Sequence, residues 1–104
     1  MKKFLDFVIF LNKRGVKMYV IMIYDINQKR VHKVLKVARK YLKWVQRSVF
    51  EGKITEKNFK ILRSKIKGLI VEDEDSVYWY ILNPEFVPYR KILGKPEATI
   101  SKLI

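Results

Sequence analysis

Apolar residues occur in short runs along this chain, and the first run is continuous. It extends from Met18 to Tyr24, contains mostly β-branched and aromatic residues, and is followed directly by Asp25. Such a run predicts a strand that is buried on both faces, so the carboxylate emerges where the core ends. Asp25 can there hold a hard cation such as Mg2+, or it can cap the helix that follows.

Two later segments have helical spacing. Between Val31 and Leu42 apolar residues recur every three or four positions, and Asn27 or Gln28 supplies a start signal. A second helix is predicted from Thr55 as its N-cap to Gly68 at its C-terminal cap. Both helices have one apolar side, so we expect both to pack on a sheet.

The remaining regular segments have the character of strands. We predict strands over Trp44–Phe50 and Ser76–Leu82, a turn at Glu51–Lys53 with a short second strand at Lys53–Ile54, and an edge strand over Tyr89–Leu93. The resulting order is strand, helix, strand, short strand, helix, strand. This order predicts an α+β fold, a ferredoxin-like βαββαβ sandwich with a C-terminal edge strand.

Length and composition limit the organisation of the chain. With 104 residues, 49% of them hydrophobic, one compact domain is expected. We assign residues 18–83 to this core, 1–17 to an N-terminal extension and 84–104 to an edge strand and tail. The absence of cysteine excludes disulfides, zinc–thiolate sites and cysteine nucleophiles, and it is typical of a cytoplasmic protein.

The charge of the chain is strongly positive and concentrated on the first predicted helix. Twenty-three Lys and Arg residues oppose ten Asp and Glu residues, which gives a net charge of +13. One helix face carries a row of lysines: Lys29, Lys33, Lys36, Lys40 and Lys43. The row predicts sequence-independent, salt-sensitive contact with nucleic acid phosphates, although an ordinary solvated face has the same pattern.

The other polar motifs exclude more chemistry than they suggest. His32 is the single histidine, so no nucleophilic triad can be assembled. The acidic run Glu72–Asp75 lacks the spacing of a calcium loop, and we interpret it as a solvated turn. Metal-assisted hydrolysis by Asp25 remains, but phosphodiester cleavage usually needs at least two carboxylates or two metals. A two-fold dimer would supply two Asp25 side chains to one cation.

The order of three motifs resembles a known family. Tyr24–Ile26 follows the apolar strand, Val45–Gly52 follows the first helix, and Asp73–Val77 opens the last core strand. Together they are similar to the small universal CRISPR-associated adaptation protein, the CRISPR-associated endoribonuclease family that partners the CRISPR integrase. The resemblance extends from Met18 to Ile104.

This resemblance implies a ferredoxin-like homodimer in which paired Asp25 residues are catalytic and bind Mg2+ or Mn2+. It implies that Tyr24, Ser48 and Phe50 line the same cleft. Trp44 stands where some members have an arginine, so arginine-dependent cleavage is not transferred to this chain. Nucleic acid contacts are expected at Lys29, Arg30, Lys33, Lys36, Lys40, Lys43 and Arg47.

The resemblance supports two functions in CRISPR adaptation, the acquisition of spacers for antiviral defence. One is a metal-dependent endonuclease, a hydrolase that cuts RNA or DNA. The other is a non-catalytic scaffold that binds duplex DNA and bridges integrase dimers. A toxin-type ribonuclease of similar fold is a third interpretation. The apolar end of the tail, Ile100 to Ile104, either docks on the integrase or packs on the dimer mate.

Residues 1–17 lie outside the resemblance. The apolar segment Phe4–Leu11 is far shorter than the roughly 20 residues that span a bilayer, and no small-residue cleavage site follows it. We therefore expect neither a signal peptide nor membrane association. Arg14–Val16 can be encoded by a purine-rich run typical of a ribosome-binding site, so we hypothesise that translation begins at Met18.

Overall fold

The computed structural model describes residues 17–83 and 90–96. Four antiparallel strands form one sheet in the order β2–β3–β1–β4. Both helices contribute buried residues to one core on one side of this sheet, which confirms the predicted α+β, ferredoxin-like order. In chain order the elements are β1 (Met18–Asp25), α1 (Gln28–Ala38), β2 (Lys43–Gln46), β3 (Val49–Ile54), α2 (Glu56–Lys67) and β4 (Ser76–Leu82).

The central strand β1 has two different faces. Met18, Val20 and Met22 are fully buried beneath the helices, whereas Ile23 on the other face is 38% exposed. The expectation that β1 is covered on both sides is therefore wrong for the single protomer. The reason is that α1 and α2 pack on the same side of the sheet, so alternate β1 residues face outward.

The single predicted strand Trp44–Phe50 is in fact a hairpin. The chain turns at Arg47–Ser48 between β2 and β3, and the segment Glu51–Lys53 that was predicted as a turn lies inside β3. Pairing explains the difference, because Phe50 lies opposite Met22 of β1 on one side and Trp44 of β2 on the other. Alternation along the chain cannot distinguish one continuous strand from two paired ones.

The helix caps agree with the prediction in most respects. The Asn27 side chain accepts a hydrogen bond from the Lys29 backbone N–H, so Asn27 caps α1 and Asp25 does not. Thr55 caps α2 by accepting from the Asn58 N–H at 3.2 Å, and Gly68 is its C-cap. The first helix ends at Ala38, four residues before the predicted end.

The C-terminal part of the chain is described only over residues 90–96, so most of the predicted tail and residues 1–16 lie outside the described residues. Over its described part, residues 90–93, the predicted edge strand Tyr89–Leu93 is not assigned as a β-strand, since a strand needs a ladder of hydrogen bonds to a second extended backbone. Arg90 instead forms an ion pair with Glu51 of β3. Neither of the two described helices is long and apolar enough to cross a membrane.

Candidate functional site

Asp25 is the last residue of β1 and lies on the sheet face that the helices leave open. It is exposed, and it lies opposite Ser76 in the β1–β4 register. Within residues 17–83 and 90–96 no three Asp, Glu, His or Cys side chains come together in a group that could hold a metal ion. The described residues of one protomer therefore do not by themselves complete the predicted metal site at Asp25.

Behind this carboxylate lies a second aspartate in the opposite environment. The Asp75 side chain is 0% exposed. Arg30 donates to it from Nε at 2.7 Å and from Nη2 at 3.0 Å. The backbone N–H groups of Asn27 and Val71 donate to the same carboxylate, each at 2.9 Å. Asp75 is thus the buried centre of a four-bond cluster.

The interpretation of Glu72–Asp75 as a solvated turn is therefore wrong for Asp75. Hydrogen bonds from the Arg30 guanidinium, supported by the Asn27 and Val71 N–H groups, hold the pKa of Asp75 well below its usual range. Nothing in the sequence distinguishes this acid from its three neighbours, because its donors lie on segments that only the fold brings close.

The Asp75 cluster stabilises the segment that carries Asp25. It ties Asn27, two residues after β1, to the loop that leads into β4. Arg30 also contacts Glu74 at 3.0 Å, and its side chain is only 20% exposed. The contact of Arg30 with nucleic acid stays a prediction, while its visible role is to connect α1 with this loop.

The β2–β3 turn is held against the same end of β1. The Tyr24 hydroxyl donates to the Arg47 carbonyl at 2.8 Å, and the Trp44 indole N–H donates to that carbonyl at 3.1 Å. The Tyr24 backbone N–H donates to the Ser48 carbonyl at 3.1 Å. Tyr24, Arg47 and Ser48 therefore lie together at this end of the sheet, and the Trp44 indole N–H contributes a hydrogen bond to the same turn, while the roles of these residues in a functional site stay predictions.

Two residues near this turn differ from the sequence picture. Phe50 is fully buried, with its ring centroid 6.0 Å from that of Tyr24, so it supports Tyr24 from within the core. Arg39, which the sequence did not single out, lies close enough to act on the Tyr24 hydroxyl. Burial raises the pKa of Tyr24 and the positive charge of Arg39 opposes that rise, so the phenol remains a hydrogen-bond donor.

The lysine row does not lie beside Asp25. Lys29, Lys33 and Lys36 are exposed on α1, on the solvent side of the helix layer, whereas Asp25 belongs to the opposite face of the sheet. Lys43 lies opposite Glu51 in the β2–β3 register, on the Asp25 face. Arg47 occupies the turn at the Asp25 end and is exposed. The structure thus divides the predicted basic residues between two surfaces.

The sequence of this chain is similar to those of known proteins. The family model described as "CRISPR associated protein Cas2" matches residues 18–86. The chain is similar to the CRISPR-associated endoribonuclease Cas2 of Dictyoglomus turgidum, with 54% identity over 77 residues, 74% of this chain and 88% of that protein. It is 51% identical to the protein of the same name from Thermotoga maritima, over 77 residues with the same two coverages.

Solved structures show the same likeness. A crystal structure of a Cas2 protein superposes with a TM-score of 0.71 at 36% identity, covering 80% of this chain and 93% of that chain. The crystal structure of Streptococcus pyogenes Cas2 at pH 6.5 superposes with a TM-score of 0.65 at 30% identity, covering 73% of this chain and 99% of that chain. Sequence and fold therefore point to the same family.

Proposed function

The chain belongs to the CRISPR associated protein Cas2 family, and from this membership we propose that it is a metal-dependent endoribonuclease of CRISPR adaptation that works as a homodimer. One observation carries the proposal. An exposed aspartate lies at the end of the central strand, on a sheet face that the helices leave uncovered. The names of the relatives support the ribonuclease activity.

The open sheet face supports the homodimer. Ile23 is 38% exposed, Tyr78 is 61% exposed and Tyr80 is 52% exposed, and the strand register puts all three on the face that also carries Asp25. Apolar surface of this kind is typical of an interaction site. A second copy related by a two-fold axis would cover it and bring the two Asp25 side chains towards each other.

The donor chemistry at Asp25 fits a hard divalent cation only if two protomers contribute. A carboxylate oxygen is a ligand that Mg2+ and Mn2+ prefer, but the described residues of one protomer form no group of three such side chains. When bound, such a cation neutralises phosphate charge and activates water. The chain's own part is to direct Asp25, through the β1–β4 ladder and the Asp75 cluster behind it.

The charge of the chain suits the proposed substrate. A net charge of +13 attracts a polyanion, and the exposed lysines of α1 can contact phosphates without reading bases. Arg47 lies on the β2–β3 turn, and its carbonyl accepts from the Tyr24 hydroxyl at 2.8 Å, which places the turn at the Asp25 end of β1. We propose that Arg47 positions the scissile phosphate while the α1 lysines hold flanking nucleic acid.

The proposal is tested with the Asp25→Asn variant. Cleavage of single-stranded RNA and of duplex DNA is measured with Mg2+, Mn2+ or EDTA, and the oligomeric state is checked by light scattering. We expect cleavage that requires metal and disappears in Asp25→Asn while nucleic acid binding persists. Asp73→Asn is the matched control, because Asp73 is an exposed acid of the same charge in the loop before β4. Equal activity of wild type and Asp25→Asn would contradict the proposal.

A second function is favoured by the separation of the two surfaces. Because the α1 lysines and Asp25 lie on opposite faces, a duplex can bind the lysines without reaching the carboxylate. This suits a scaffold that holds duplex DNA and bridges integrase dimers. If neither wild type nor Asp25→Asn cuts, and both bind duplex DNA and the integrase equally, the scaffold is the better description. The family match over residues 18–86 favours either role over a toxin-type ribonuclease.

A further inference from the structure

A groove between α2 and the beginning of β4 has no part in the function proposed above. Its volume is about 720 Å3, within the range of ligand-binding clefts. Its lining combines cations, an aromatic ring and a strand end. The residues used in the argument are Lys60, Arg63, Lys67, Glu72, Ser76 and Trp79.

The cations come from one face of α2. Lys60, Arg63 and Lys67 are spaced by three and four residues, so they lie in a row, and all three are exposed. Lys60 is 2.7 Å from Glu56. The Arg63 guanidinium lies over the Phe59 ring at 5.4 Å, a contact that uses none of its N–H donors. Arg63 and Lys67 are thus the cations best placed to bind an anion.

An aromatic floor lies beneath these cations. Trp79 is partly buried and meets the Phe59 ring edge-to-face, with 5.2 Å between centroids and 79° between planes. The same Phe59 ring contacts Arg63. A basic groove that tracks a backbone beside aromatic side chains is the combination that binds single-stranded nucleic acid without sequence preference.

The acidic residues that line the groove do not neutralise its positive charge. Asp75 also lines it, but its charge is compensated by Arg30 at 2.7 Å, which leaves Glu72 at the loop end. The described C-terminal residues 90–96 carry three basic side chains and no acid, so they match the groove poorly. Charge therefore favours an anionic occupant over this segment of the chain.

The groove also reaches the edge of the sheet next to the proposed catalytic carboxylate. Ser76 lines it and is the residue opposite Asp25 in the β1–β4 register. Directly opposed residues of antiparallel strands have Cα atoms about 4.5–5.5 Å apart. Because α2 and Asp25 lie on opposite faces of the sheet, an RNA strand in the groove reaches Asp25 by passing round the edge strand β4 at Ser76.

From these observations we propose that the groove binds single-stranded RNA along α2, and that the strand passes round the β4 edge to Asp25. Arg63 and Lys67 contact successive phosphates, and a base lies against Trp79. The proposal rests on the ribonuclease function for its direction, but the binding itself needs neither metal nor cleavage. It assigns to the α2 cations a second set of phosphate contacts besides those of the α1 lysines, and the path round the β4 edge favours a flexible, unpaired strand over a stiff duplex.

The test measures binding in EDTA, so that no cleavage takes place. Fluorescence anisotropy is recorded with two probes, a labelled oligouridine and a labelled DNA duplex. Each probe is titrated with the wild type, with the groove variant Arg63→Gln/Lys67→Gln, and with the matched control Lys33→Gln/Lys36→Gln on α1. We expect the groove variant to bind oligouridine about tenfold more weakly. The slope of log K against log salt concentration should decrease in magnitude by about 1.4, because two phosphate contacts are lost. The groove variant should bind the duplex as the wild type does. The control should show the reverse preference. Equal losses for both probes in both variants would overturn the proposal.

Tryptophan fluorescence provides the second readout. The chain has two tryptophans, so Trp44→Phe leaves Trp79 as the only reporter, and circular dichroism checks that it folds. We expect oligouridine to quench Trp79 emission and a polyglutamate peptide of equal charge to compete at least tenfold less well. If oligouridine does not quench Trp79 emission, or if the polyglutamate peptide competes as well as RNA does, the assignment of the groove to RNA is wrong. If quenching occurs but Asp25→Asn still cleaves, the ribonuclease proposal fails and the groove assignment stands.

Discussion

The two faces of the sheet are made from alternate residues of the same strands, yet they are built differently. The face beneath the helices contains fully buried residues such as Met22 and Phe50. The other face exposes Ile23, Tyr78 and Tyr80 together with Asp25. The first face stabilises the protomer, while the second offers apolar surface and a carboxylate to another molecule. The residues that stabilise the protomer and the residues of the candidate site therefore lie on opposite faces of the same sheet.

The largest expected effect comes from placing a charge on the open face. Ile23→Glu should dissociate the proposed dimer, because two buried like charges would meet across the two-fold, and should reduce cleavage about 100-fold or more, as loss of a catalytic group does. Sedimentation and a cleavage assay measure the two effects. Lys33→Glu on α1 is the control for the charge change. A monomeric Ile23→Glu variant with full activity would contradict the shared site.

Removing one aromatic ring from each face of the sheet tests which face stabilises the single protomer. Phe50→Ala should lower the free energy of unfolding by about 3–5 kcal/mol, since it removes a fully buried aromatic side chain. Tyr78→Ala, measured at a concentration where the wild type is monomeric, should change it by about 0.5 kcal/mol or less. Chemical denaturation gives both values. Similar losses for the two variants would mean that both faces are packed within one protomer.

The two aspartates extend the comparison to pH. The pKa of Asp75 is depressed in the folded protein, so its stabilising contribution is present above about pH 4, the ordinary value in an unfolded chain. That contribution is lost as the pH falls towards the lower folded pKa. Asp75→Asn should be less stable at pH 7 and should lose much less stability on acidification than the wild type. Melting curves between pH 3 and 7 test this.

The control for that experiment is Asp73→Asn, because Asp73 is exposed and lies outside the proposed two-fold site. It should melt as the wild type does across the same pH range. If Asp75→Asn and the wild type lose stability in parallel on acidification, the Arg30–Asp75 ion pair does not cause the acid sensitivity.

The smallest expected effect distinguishes a shared site from two independent ones. When wild-type and Asp25→Asn subunits are mixed equally and exchange at random, about one quarter of the dimers carry two intact carboxylates. Cleavage should then fall to about one quarter of the unmixed activity at equal total protein if both Asp25 residues are required, and to about one half if each acts alone. Dilution with Asp73→Asn subunits, which should leave the activity unchanged, is the control.

Much of the fold was predictable from neighbouring residues. The continuous apolar run predicted β1 with Asp25 at its end, the three-to-four spacing predicted both helices, and Thr55 and Gly68 marked the ends of α2. These features depend on residues a few positions apart, so their pattern is visible in the chain itself. The order of elements then limited the topology to the ferredoxin-like arrangement.

Contacts between distant residues decided the rest. The turn at Arg47–Ser48 lies where β1 and β2 both pair with β3, and the Tyr24 hydroxyl that holds it is 23 positions from Arg47. Asp75 is buried because Arg30, 45 positions earlier, donates to it. The α1 lysines face away from Asp25 because both helices cover one side of the sheet. Local spacing determines which segments are helices and strands, but only long-range pairing and packing determine which side chains meet.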